Sequence, residues 1–373
     1  MTRVLVAAGG GGDALAAAIL HHTIPFAAPA VIATYAWDHL VTDPVPGPRR
    51  AADFTGLGPL AGRDRVFTPD TRPVPPSGST LPRLSGEIGD HLVLLDPDEA
   101  ACGLRTQIGE LVTAHEAEAV DIVDVGGDSL ARGDEDGLRS PLADAMVLAA
   151  CAGLDVPSSI VVAGPGLDGE LTQAQVLAVT GQEPDLVLDA GDVAAFAHVL
   201  DWHPTESTAL LAAAAHGLRG LVEIRDGRMT VPLTDRSAHV YRLALATVLQ
   251  RSRVASALVD SSSLDEAEAI TRRVCGFSEI DAERRKAAQL TAAGDDGPDG
   301  GGGGGVVGDQ EDLDRGVRAL EVAAGDRGVD YLTFRRIAEA LQLTAGPADR
   351  LRQHLVATRP EHHAWPLWSI NPV

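Results

Sequence analysis

The chain has 373 residues, 45% of them hydrophobic, enough apolar material for one large domain or two. Its 53 acidic against 30 basic residues give a net charge of −23, which repels nucleic-acid phosphates and acidic membrane surfaces, so DNA, RNA and membrane readings are set aside. Three scattered cysteines without a CxxC pattern support neither a disulfide framework nor a thiolate zinc site, and no signal-peptide or transmembrane-length apolar pattern is found, so a soluble cytoplasmic protein is expected.

In chain order, the apolar run Val4–Ala8 meets Gly9, Gly10, Gly11 and Gly12, then Asp13 and an Ala-rich segment, which predicts strand, glycine loop and helix. Such a loop lets backbone N–H groups and the positive helix end approach a ligand, and it matches the G-x-G-x-x-A dinucleotide fingerprint. Against a dinucleotide stand the acid Asp13 and the lack of an acid at the end of the second strand, 29–36, where the nearest is Asp38. The plain alternative is a tight strand-to-helix turn. Residues 38–85 form a long excursion in which Ser79, Thr80 and Arg83 offer hydroxyls and a cation to an anionic group, although helix capping explains the hydroxyls equally well.

Further strands are expected at 91–95, 119–125 and 158–164, with helices at 103–115 and 141–151 between them, an alternation that implies a parallel sheet with crossover helices. The unit that begins with the strand at 119–125 carries Asp124, Gly126, Gly127 and Asp128, followed by Ser140 through Asp144. Side chains alternate along a strand, so Asp124 and Asp128 converge at its end, where two carboxylates can bind Mg²⁺ or Mn²⁺ or exchange protons. Ser140 reads as the cap of the helix beginning at Pro141. After the strand at 158–164, Asp168 and Glu170 sit in a glycine-rich turn, while Thr172 and Gln175 form a capping box.

Helices are expected at 192–200 and 205–216, and the α/β body runs to residue 290. Residues 291–305 include six consecutive glycines and predict a flexible linker, and 306–373 a small helical C-terminal tail packed on the body through Trp365 and Trp368. No GxSxG elbow, Walker A motif or HExxH zinc pattern occurs, and any Schiff-base chemistry would rest on Lys286, the only lysine. The Arg- and Ala-rich, lysine-poor composition has the bias of a GC-rich actinobacterial genome.

The segments 9–13, 43–49, 78–83, 124–128 and 168–171, with 279–286 at the close, resemble a family of actinobacterial and archaeal proteins of unknown function, the DUF1152 type. The resemblance implies an α/β domain and transfers no chemistry to any residue. The resulting expectation is a Rossmann-like α/β enzyme with a mostly parallel sheet and flanking helices, acting on a small polar or anionic ligand. Catalytic roles fall to Asp124, Asp128 and Glu170, metal binding to Asp124 and Asp128, and ligand contacts to Gly9–Gly12, Asp13, Ser79, Thr80, Arg83, Gly126 and Gly127. The competing expectations are a nicotinamide-dependent oxidoreductase and a noncatalytic metabolite sensor or assembly partner. A homo-oligomer is compatible with each.

Overall fold

Apolar runs without polar alternation bury both faces of a strand, and that is how they are used here. The computed structural model describes residues 2–24, 31–60, 62–225, 229–295, 310–343 and 345–372. Five parallel strands lie side by side in the order His91–Leu94, Val31–Thr34, Arg3–Ala7, Ala119–Val125 and Ser158–Ala163. Antiparallel strands extend both edges, His239–Ala244 and Leu186–Val187 on one side, Arg63–Val66 and Gly58–Leu60 on the other.

Alternate residues of each parallel strand enter two different cores. Val4, Val6 and Ile122 pack with the helices Ala100–Ala114 and Pro141–Cys151, whereas Leu5, Ala7 and Val123 pack with Gly11–Thr23 and Ser207–Ala215. The sheet is thus covered on both faces. Among the described residues no helix is long and apolar enough to cross a membrane.

The strand order places the functional loops. From Arg3–Ala7 the chain crosses to Val31–Thr34 on one side, then later returns to Ala119–Val125 on the other, so the loops leaving the two central strands diverge and open a crevice between them.

The C-terminal region is not simply helical. The helices Gln310–Gly325, Phe334–Ala340 and Ala345–Thr358 lie within the expected helical tail, but the strands Tyr331–Leu332, His363–Ala364 and Leu367–Ser369 join Gly220–Ile224 and Met229–Leu233 of the body in a second, five-stranded sheet. Two- and three-residue strands carry no readable periodicity, so the partner strand at 220–224 decides their conformation. Trp365 reaches the body through an indole hydrogen bond to Asp201 (2.9 Å) and an edge contact with His216, while Trp368 is fully buried in the C-terminal region's own core. The body's last helix, Glu279–Asp295, runs five residues past the expected boundary, and most of the expected linker, 296–305, lies outside the described residues.

Candidate functional site

Arg3–Ala7 ends at the glycine loop, and the loop turns because Gly10 adopts φ +114°, a region open to glycine, with the Trp37 carbonyl 3.0 Å from where a Cβ would stand. The helix Gly11–Thr23 then places Asp13 in its first turn, where the helix dipole favours an anion. Asp13 Oδ2 accepts the Gly9 N–H at 2.7 Å. The first amide of the supposed ligand cradle is therefore occupied by the protein's own carboxylate.

The neighbouring strand ends at Asp124, which is 1% exposed. Its Oδ1 accepts the Gly127 N–H at 3.2 Å, and its Oδ2 accepts both the N–H (3.1 Å) and the hydroxyl of Ser129. Gly126 makes this turn at φ +116°, and any Cβ there would collide with the Asp168 carboxylate. Asp168 in turn accepts the Asp128 N–H (3.1 Å) and the Glu170 N–H (2.7 Å), tying the third strand-end loop to the second. Asp144 enters from the buried helix Pro141–Cys151. It is 3% exposed, and among the described residues its Oδ1 has no hydrogen-bond partner.

Asp13, Asp128, Asp144 and Asp168 line a cavity of about 340 Å³ at these carboxyl ends, together with Gly9, Gly11, Gly12, Asp38, His39, His203, Glu206, Arg225, Glu279 and Arg335. Burial, then the Asp124 charge, holds Asp13 and Asp144 well above the usual carboxylate range; burial and the Asp144 charge do the same to Asp128, and burial and Glu170 to Asp168. Burial also raises Asp124, although the Ser129 and Gly127 donors oppose it. The two cavity histidines move the other way: burial holds His39 well below its ordinary value and lowers His203 to about 3, so both imidazoles are neutral at physiological pH.

Two overlapping groups of carboxylates fit a small hard cation. Asp13, Asp124 and Asp144 form one, and Asp124, Asp128 and Asp168 the other, each with one oxygen per residue and all three oxygens within 4.8 Å of one another. Oxygen ligands at about 2.1 Å from one ion lie at most about 4.2 Å apart, so small side-chain shifts close such a group on an ion, and an all-oxygen donor set suits Mg²⁺ or Mn²⁺.

Of the residues selected from sequence, the structure gathers Gly9, Gly11, Gly12, Asp13, Asp124, Asp128 and Glu170 at this crevice, with Gly10, Gly126 and Gly127 shaping its loops. Glu170 is an anchor more than a free acid: it accepts the Arg139 N–H (2.6 Å), the Ser140 N–H (2.9 Å), the Ser140 hydroxyl (2.5 Å) and Arg225 Nη1 (3.1 Å). Ser140 precedes the helix as expected, but its hydroxyl turns to Glu170 and does not cap. Glu279 Oε2 takes the Leu142 amide of that helix's first turn instead, at 2.8 Å. Thr172 and Gln175 form the expected capping box.

Ser79, Thr80 and Arg83 are not part of the cavity wall. Ser79 Oγ accepts the Leu81 N–H, Thr80 donates its hydroxyl and its N–H to Asp38, and Arg83 pairs with Glu87 at 2.9 Å while lying 3.9 Å over the Trp202 ring. The wall also contains residues that were not selected. Asp144 had a signal, a lone acid in an otherwise apolar helical segment. Arg225 and Arg335 had none, because only the fold brings them in. Arg335, from the C-terminal region, pairs with Glu206 and Glu339, each at 3.2 Å, while Arg225 pairs with Glu170 and Glu206. Lys286 pairs with Glu339 at 3.3 Å.

Over residues 4–287 the chain matches the family described as "Protein of unknown function (DUF1152)", and it belongs to that family. No curated protein and no solved structure matches it. The matched stretch holds all the carboxylates of the two cation-sized groups but ends before Arg335.

Proposed function

We propose that this protein is an enzyme that uses a divalent cation, Mg²⁺ or Mn²⁺, to act on a small polar or anionic metabolite in the crevice beside the glycine loop. The observation that carries this reading is Asp144, a buried carboxylate at a cavity wall that belongs to a group of carboxylates and whose Oδ1 has no hydrogen-bond partner among the described residues. A buried anion beside other anions is strongly unfavourable unless a cation or proton compensates it. The strand order with its central divergence supports a Rossmann-like, doubly wound reading of the sheet, in which ligands lie at the carboxyl ends.

In this reading Asp124 would hold the ion together with Asp13 and Asp144 or with Asp128 and Asp168, and the ion when bound would polarise a ligand oxygen as a Lewis acid. Asp13 and the start of its helix border the ligand, and Arg225 and Arg335 on the opposite acids supply the positive side of the wall. The neutral His203 ring, whose Nε2 is buried without a partner, is the nearest candidate for exchanging a proton with a ligand.

The nicotinamide alternative has less support. The acid nearest the second strand end, Asp38, is committed to the hydroxyl and N–H of Thr80, and Asp13 occupies the Gly9 amide that a pyrophosphate would need. A noncatalytic sensor would use the same cavity without turnover.

The test is to incubate the full chain with pools of phosphorylated and carboxylated small metabolites, with Mn²⁺ or with EDTA, and to follow consumption by mass spectrometry. Consumption is expected only with the ion, and it should be lost in a folded Asp124→Asn, Asp128→Asn double variant. Consumption that persists in EDTA would overturn the cation-dependent reading, and ligand retention without consumption would make the protein a sensor.

A further inference from the structure

We infer that the crevice holds two divalent cations, Mg²⁺ or Mn²⁺, bridged by the Asp124 carboxylate, one ion between Asp13, Asp124 and Asp144 and the other between Asp124, Asp128 and Asp168. The inference rests on the cation-dependent reading above and specifies its stoichiometry and ligands.

Geometry supplies the first step. Each group brings three carboxylate oxygens within 4.8 Å, and Asp124 is the one residue common to both. Asp13 arrives from the first helix, Asp144 from Pro141–Cys151, and Asp128 and Asp168 from the loops after the next two strands. A single ion cannot be bound by all five carboxylates at ordinary oxygen distances without drawing these elements together, whereas two ions each meet a set already assembled.

Partner counting supplies the second step. Every oxygen of Asp124 and Asp168 accepts a donor from the chain, so the fold fixes these two carboxylates in place. Both Asp168 oxygens and Asp124 Oδ1 accept one donor each and keep a second lone pair, whereas Asp124 Oδ2 accepts the N–H and the rotatable hydroxyl of Ser129, and an ion on Oδ2 would displace that hydroxyl. Asp144 Oδ1 has no donor at all, and Asp128 receives only a long contact, 3.5 Å, from the Ser140 hydroxyl. Each proposed ion thus has one poorly satisfied carboxylate, Asp144 beside Asp13 and Asp124, and Asp128 beside Asp124 and Asp168. That pairing is what separate ions would require.

Charge supplies the third. When ionised, the five carboxylates carry five negative charges, while of the arginines lining the cavity Arg225 is paired with Glu170 and Glu206, Arg335 with Glu206 and Glu339, and Arg139 donates to the Asp136 and Leu138 carbonyls. One divalent ion would leave three of those negative charges, and two would leave one, close to neutrality. Bridged ions at about 3.5–4 Å form a clamp for an oxyanion such as a phosphate or carboxylate, in keeping with a small anionic ligand.

The experiment uses the metal-stripped full chain and Mn²⁺. Equilibrium dialysis with elemental analysis should find two equivalents of Mn²⁺ per chain, and electron paramagnetic resonance should show a spin-coupled Mn²⁺ pair. Asp144→Asn and Asp128→Asn should each retain one equivalent with an uncoupled spectrum, and Asp124→Asn should fall below one. If Asp124→Asn does not fold, judged by circular dichroism, the two outer variants and the wild-type coupling decide the matter. One equivalent in the wild type would overturn the two-ion inference and leave the cation-dependent reading standing, whereas none would overturn both. Two uncoupled equivalents, or two that survive in Asp144→Asn, would overturn the bridge.

Discussion

Buried carboxylates occur in both sheets of this protein, and the fold treats them in opposite ways. In the second sheet Glu223 is fully buried but meets Arg336 at 2.8 Å and the Arg327 guanidinium, and Glu321 meets Arg359 at 2.9 Å and the Trp368 indole at 2.7 Å. Burial alone would raise Glu223, yet the two arginines outweigh it and lower its pKa. At the carboxyl ends of the main sheet Asp13, Asp128 and Asp144 are raised well above the usual range, and Asp144 Oδ1 has no partner. The chain can evidently neutralise a buried acid with arginine. That it does so beside Tyr331–Leu332 and not beside Asp124 argues that the second set is completed by something outside the chain.

The largest test of this contrast is to break the satisfied side. Glu223→Ala removes one member of a buried network and leaves Arg336, itself 7% exposed, without its partner. A loss of about 3–5 kcal/mol is expected from urea unfolding, because an uncompensated buried charge is left behind. A loss well under 1 kcal/mol would mean that the two sheets do not differ in this respect.

The next test completes the unsatisfied side. Mn²⁺ at about a hundred times its dissociation constant should stabilise the wild type by about 2.7 kcal/mol in thermal or urea unfolding, and should leave the Asp124→Asn, Asp128→Asn variant unchanged. Equal stabilisation of both proteins would move the ion elsewhere.

The sequence made one side of this comparison far more legible than the other. Val4–Ala8, the run at 119–125 and the Pro141–Cys151 helix could be read because their burial on both faces leaves an uninterrupted apolar signal, and Asp124 and Asp128 stood out as acids at the end of such a run. The convergence of the loops after the strands at 4–8 and 119–125 followed from parallel alternation. Asp144 was visible as an oddity in an apolar helix, but nothing local says that it points at Asp124. The satisfied side was illegible: Tyr331–Leu332 and Leu367–Ser369 are too short for periodicity, and the partnership of Glu223 with residues 327 and 336 spans about a hundred positions. Ser79, Thr80 and Arg83 misled because a hydroxyl-rich turn before a helix has the same composition whether it meets a ligand or, as here, a buried Asp38.

A smaller effect follows from pH, where the two sheets pull in opposite directions. Asp128 and Asp144 have folded-state pKa values above their unfolded ones, so the metal-free native state binds more protons than the unfolded chain, and their contribution to stability declines as pH rises from about 4. Glu223 is lowered, so its contribution is present above its unfolded value and is lost as pH falls through the folded one. In EDTA, Asp144→Asn should therefore match the wild type near pH 4 and become the more stable of the two in urea unfolding as pH rises toward neutrality. A variant that is less stable than the wild type at every pH would show that Asp144 is satisfied after all.

The smallest effect belongs to Arg83, whose cation was read from sequence as part of a ligand site. Its guanidinium lies over Trp202 and pairs with Glu87 four residues on, and its side chain is about half exposed, so solvent screens the ion pair and the stacking contributes modestly. Trp202 is also fixed independently, since its indole donates to Glu87 at 2.6 Å. Arg83→Ala should cost about 1 kcal/mol or less in unfolding and leave Mn²⁺ affinity within twofold, because no carboxylate of either cation-sized group touches it. Arg83 does oppose protonation of buried His203, so the variant should move that imidazole's titration, followed by nuclear magnetic resonance, upward from about 3. A tenfold loss of Mn²⁺ affinity would place Arg83 inside the site, and would mean that the boundary drawn here between the acidic crevice and its arginine-rich surroundings lies in the wrong place.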